Sequence, residues 1–172
     1  MKIKYLLTLS FFLFHTFSCN KITPSGFWKN YQKEFIIKNI SDQGPWGGHR
    51  AIYWKSNNNN TFNTKQIIDF AVKNGWKFVD SSYFRSENIK KWTYNEKNIF
   101  PLSWEGFIPN FNTQTSVFEY FPRWTDTGLT VLRFKTGWIS VTPGSDDSDE
   151  INGFATLSDN KQELTIYHLW GD

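Results

Sequence analysis

Few side chains in this sequence are suited to bond-making chemistry, and they are scattered along it. Cys19 is the only cysteine, so no intramolecular disulfide can form. The histidines are His15, His49 and His168. A zinc site takes three or four ligands at regular spacing, and these three residues offer no such spacing. No metal or cofactor is therefore assigned. The sequence contains neither a Gly-x-Ser-x-Gly nucleophile turn nor a Gly-Lys-Ser/Thr phosphate loop. The glycines of 44–48 (GPWGG) read as part of a turn. Glu105, Glu119 and Asp126 lie in aromatic-rich surroundings where a pair of carboxylates for glycan hydrolysis could sit. Nothing in their spacing selects them over other acidic residues. A hydrolase is thus the least supported class, and the expectation is a protein that is not an enzyme.

The densest charge is at Asp146, Asp147, Asp149 and Glu150, four carboxylates within five residues. Such a run can take a hard cation through oxygen ligands. Counted as an EF-hand loop from Asp147, its fifth and sixth positions are Ile151 and Asn152, which breaks that pattern. The plain reading is a solvated turn. The functional reading is a docking loop for a basic partner, since clustered charge steers association.

The aromatics are abundant, with nine Trp, seven Tyr and 17 Phe. Each large ring buries about 150–250 Å² when internal, so a disulfide-free chain can still build a core from them. The alternative use is a flat platform for a sugar or peptide. Trp46, Trp92 and Trp104 are the candidates for that role, and their burial separates the two readings.

The first 18 residues read as an export signal. Met1 to Lys4 is short and basic, and Tyr5 to Phe14 (YLLTLSFFLF) is apolar and uncharged. A spanning helix needs about 20 apolar residues, so this run has the length of a secretory segment instead. With Ser18-Cys19 at its end it resembles the signal of bacterial lipoproteins. That resemblance implies lipid on Cys19 and a hold on the membrane through it. Asn20, where Asp would retain such a protein in the inner membrane, implies the periplasmic face of the outer membrane. Thr16 and Phe17 stand where Leu and a small residue are usual. Thr16-x-Ser18 also fits ordinary signal peptidase, whose cut would release a soluble periplasmic or secreted protein. Loss of Lys2 and Lys4 with the signal leaves the basic count close to the 16 acidic residues. Nucleic acid as a partner then has no electrostatic footprint.

After a short tether over 19–26, residues 27–172 read as one domain. Strands are expected over 34–40, 49–55, 78–84, 116–121, 129–135, 138–142, 154–158 and 163–170, with a loop over 41–48. One helix is expected after Asn63, whose side chain caps it with Gln66 three residues on. Its apolar face is Ile67, Ile68, Ala71 and Val72, and Asn74-Gly75 stops it. Residues 85–115 show no clean periodicity. The expected fold is α+β, an antiparallel β-meander with one main helix packed on it. The expected function is that of a small binding or interaction module on the cell envelope. One form is an immunity-type lipoprotein that meets a periplasmic toxin as its protein partner. A glycan or peptidoglycan binder is the alternative.

Overall fold

The computed structural model describes residues 24–44, 47–57, 60–103, 106–110, 121–137 and 150–171. The signal-like segment with Cys19, all but Phe121 of the strand expected at 116–121, and the strand expected at 138–142 lie outside these residues. In chain order the elements are β1 (Ile36–Gln43), β2 (Gly47–Lys55), α1 (Thr64–Lys73) and β3 (Lys77–Phe84). Then come the one-turn α2 (Ser86–Ile89) and two short ladders, β4 (Thr93–Tyr94) with β5 (Lys97–Asn98) and β6 (Leu102–Ser103) with β7 (Gly106–Phe107). β8 (Leu129–Lys135), β9 (Ile151–Ser158) and β10 (Glu163–Gly171) complete the chain.

The fold is α+β. Six strands form one antiparallel sheet in the order β1-β2-β10-β9-β8-β3. Only β8, β9 and β10 follow one another as a meander; they fill the gap between β2 and β3. Those two strands lie four spacings apart, about 19 Å, and α1 with its flanking loops carries the chain across.

α1 forms for the local reasons expected. The Asn63 side chain accepts the Gln66 backbone N–H at 3.2 Å, and Gly75 takes φ +95° after the last turn. The buried stripe is narrower than the apolar pattern. Ile67 and Ala71 are fully buried, Ile68 is half-buried, and Val72 is 51% exposed. Val72 sits at the rim of the stripe, where the sheet no longer reaches it.

Two other expectations are corrected. β1 starts at Ile36, after a 3-10 turn over Lys33–Phe35, and runs through Ser41 and Asp42 to Gln43. Register against β2, with Ser41 opposite Arg50 and Gln43 opposite Gly48, makes strand of what composition marks as loop. Gly47 and Gly48 belong to β2 for a steric reason. A Cβ at Gly47 would stand 2.5 Å from the Trp170 carbonyl oxygen, and one at Gly48 would meet the Trp170 ring.

The sheet is covered on both faces. On one, α1 and the segment around Trp28 and Tyr31 bury Ile52, Trp54, Leu132, Phe134, Leu164 and Ile166. On the other, Ile89, Trp92, Phe100, Leu102 and Phe121 bury Ala51, Leu129, Val131, Phe154, Tyr167 and Leu169. The described residues of the aperiodic stretch after Arg85 are therefore a second covering layer, and β9 and β10 are buried on both sides. Among the described residues no helix is long and apolar enough to cross a membrane.

Candidate functional site

Trp92 is a core residue, so its burial removes it from the candidates for a stacking platform. It is 1% exposed, its Nε1 donates to the Pro109 carbonyl at 2.9 Å, and Phe84, Phe100 and Phe107 meet it edge-on. Trp46 and Trp104 lie outside the described residues, as do Asp146, Asp147, Asp149, Glu105 and Glu119. Glu150 is exposed, one residue before β9. Asp126 is exposed and pairs with the buried Arg123, holding the turn that follows Phe121. His49 is buried against the Phe121 ring. Burial lowers its pKa from the ordinary histidine value, and the Asp42 charge opposes that shift. His168 is fully buried, with Nε2 3.0 Å from the Thr136 hydroxyl. Among the described residues no three of His, Cys, Asp and Glu group as metal ligands would.

What the fold does assemble is an aromatic series that reaches the surface. Phe107 stacks on Phe100 at 4.9 Å and 14°, and Phe100 stacks on Tyr167 at 4.2 Å and 3°. Tyr167 lies nearly parallel to Trp124 at 6.4 Å and 9°. The Tyr167 hydroxyl donates to the Pro122 carbonyl at 2.9 Å, which ties the Pro122–Trp124 stretch to β10. Phe100 and Tyr167 are buried, whereas Trp124 is half-buried; it is the one tryptophan of the six described that is not fully inside.

Polar groups surround that ring. Tyr53 packs against Trp124 at 5.4 Å, and its hydroxyl donates to Glu163 Oε1 at 2.8 Å. Burial, and after it the Glu163 carboxylate, push the Tyr53 pKa upward, so the hydroxyl remains a donor. Lys55 Nζ reaches the same carboxylate at 3.2 Å. From β1, Lys38 places its Nζ 5.9 Å from the Trp124 ring centroid, within cation–π range. Register explains the grouping. Tyr53 is opposite Lys38 on one side and Thr165 on the other, so side chains from β1, β2 and β10 share one face.

No protein-family model, curated protein or solved structure matches this chain. The surface around Trp124 therefore stands on its own chemistry. It offers an aromatic ring, two lysines, and a carboxylate already bonded to a phenol, which is equipment for contact with a ligand. Trp124 escaped the sequence reading because its neighbours Pro122 and Arg123 mark it as loop. The usable signal was the alternation of Tyr53 with Lys55 and of Glu163 with Thr165 and Tyr167.

Proposed function

We propose that this is an exported, lipid-anchored cell-envelope protein that acts as a small binding or interaction module, with Trp124 at the centre of its contact surface. The observation that carries the binding role is the half-buried Trp124 on a rigid stack, rimmed by Lys38, Lys55 and Glu163. Tryptophan and tyrosine supply large contact area at little entropic cost, and dominate binding energy where they anchor an interface. The basic–apolar start ending at Cys19 supports export and the lipid. A protein partner, such as a toxin that the module blocks in the periplasm, is one form of this reading. The near-parallel Tyr167 and Trp124 rings favour a second, a peptidoglycan or glycan ligand stacked on Trp124.

Two measurements test the proposal. Cells fed a palmitate analogue should label the wild type and not Cys19→Ser, and the variant should leave the membrane fraction. Absence of label on the wild type leaves a soluble exported protein. Purified protein should be retained on isolated peptidoglycan if the glycan form holds, and Trp124→Ala should abolish retention. Wild type that passes through unretained removes the glycan form.

A further inference from the structure

Arg50 lies on the face of the sheet opposite Trp124. It is 2% exposed, and its Nε and Nη1 are buried with no hydrogen-bond acceptor. None of the ion pairs among the described residues involves it. A guanidinium does not give up its proton in a protein, although burial lowers its pKa from the ordinary value. A buried cation without a counter-charge is among the most costly arrangements a fold can hold. An anion is what this position lacks.

A second buried donor stands nearby. Register puts Arg50 opposite His168 and Gly48 opposite Trp170, alternate pairs across β2 and β10 with His49 opposite Leu169 between them. Side chains at these positions lie on one face, one pleat apart. The Trp170 ring leans over β2, with Cζ2 2.7 Å from where a Cβ on Gly48 would be. Cζ2 adjoins the ring carbon that carries Nε1, so the indole N–H lies beside Gly48. That nitrogen is also buried and lacks an acceptor.

The neighbouring groups are fixed. The Thr136 hydroxyl donates to Asn152 Oδ1 at 2.7 Å, so its contact with His168 Nε2 is one in which the imidazole N–H donates. The Trp76 and Trp170 rings both pack against the imidazole, at 5.4 Å and 4.8 Å between centroids. On the other flank of Arg50 is Ser41 of the edge strand, which is exposed.

We propose that the Arg50 guanidinium and the Trp170 indole N–H form a buried site for one small oxyanion, where β2 begins and β10 ends. The donors present only N–H groups, which suits an acceptor-only ligand such as a carboxylate or phosphate. The near-complete burial of Arg50 limits the occupant to a small ion or small acid. This site is independent of the Trp124 surface, so either can fail without the other.

The test is a melt of the full-length protein, dialysed into chloride buffer and titrated separately with sodium acetate and inorganic phosphate at constant ionic strength. A ligand held by the folded state alone raises the melting temperature in a saturable way. Wild type should show that rise with at least one of the two anions, and Arg50→Met should not. Trp170→Phe keeps an aromatic six-membered ring and loses the pyrrole half of the indole with its N–H. It should fold and bind about tenfold more weakly, the scale of one hydrogen bond to a charged group. This variant decides the matter if Arg50→Met does not fold. No saturable rise in wild type, or an equal one in both variants, overturns the proposal. It is also overturned if the rise appears only once Asp146, Asp147, Asp149 and Glu150 are changed to Asn or Gln. The chain's own carboxylate would then be the counter-ion.

Discussion

The indole of Trp170 occupies the space that a side chain at position 48 would take, with Cζ2 2.7 Å from the position of a Gly48 Cβ. The same Cβ would also stand 2.3 Å from the Asp42 carbonyl oxygen on the other flanking strand, so neither side can simply yield. Gly48→Ala should therefore destabilise the domain by about 1–3 kcal/mol, the usual cost of overpacking. Urea unfolding followed by tryptophan fluorescence measures it. A variant as stable as wild type means that the ring is seated elsewhere.

A contrast within α1 tests which stripe faces the sheet. Ile67 is fully buried, and Ile67→Asp places a charge among Trp28, Trp54 and their neighbours. Loss of about 4 kcal/mol or more is expected, enough to abolish folding. Val72 is half-exposed in the last turn, where a cation favours the helix dipole. Val72→Lys should be within about 0.5 kcal/mol of wild type. Circular dichroism of the two proteins suffices, and equal damage from both would place the helix in another orientation.

The contrast also marks how far sequence carries. Asn63, Gln66 and Gly75 identify α1 because capping and left-handed backbone are local matters. The alternation in 129–135 identifies β8 for the same reason. Trp92 and Trp124 could not be told apart, because their fates depend on whether the layer after Arg85 extends over them. That layer is built from aromatics with almost no repeating structure, so no period announces it. The membership of Gly47 and Gly48 in β2 was equally hidden, since it answers to Trp170, more than 100 positions away. The Trp124 surface needed the register of three strands before Lys38, Tyr53 and Glu163 became neighbours.

Acid should weaken the fold through His49. Its pKa in the folded protein is below the ordinary value of about 6.5, because burial disfavours the imidazolium. As pH falls, the unfolded chain takes up this proton first. The contribution of His49 is thus complete above about pH 6.5 and declines as pH falls toward the folded value. His49→Gln should flatten that part of the stability–pH curve. Asp42, opposite His49 in β1, works against the shift, so Asp42→Asn should steepen it. Denaturant midpoints between pH 5 and 8 give the answer, and a shallower curve in Asp42→Asn would refute the assignment.

The stacked series from Phe107 to Trp124 separates packing from contact along a single line of rings. Phe100 is fully buried between Phe107 and Tyr167. Phe100→Ala removes both stacks and leaves a cavity, at a cost of about 3–5 kcal/mol. Trp124 covers Tyr53 and Tyr167 on one side and is half-open to solvent on the other. Losing part of its burial should cost about 1–2 kcal/mol, with the fold retained. If Trp124 anchors a ligand, Trp124→Ala should reduce binding at least tenfold while the protein still melts cooperatively. Lys38→Met, which removes the cation beside the ring and keeps most of the stem, should leave stability within about 0.5 kcal/mol. It should slow association with an acidic ligand more than it speeds release. The decisive comparison is between Phe100→Ala and Trp124→Ala at a temperature where both are folded. Equal binding by the two would make Trp124 one more packing ring and move the contact surface elsewhere.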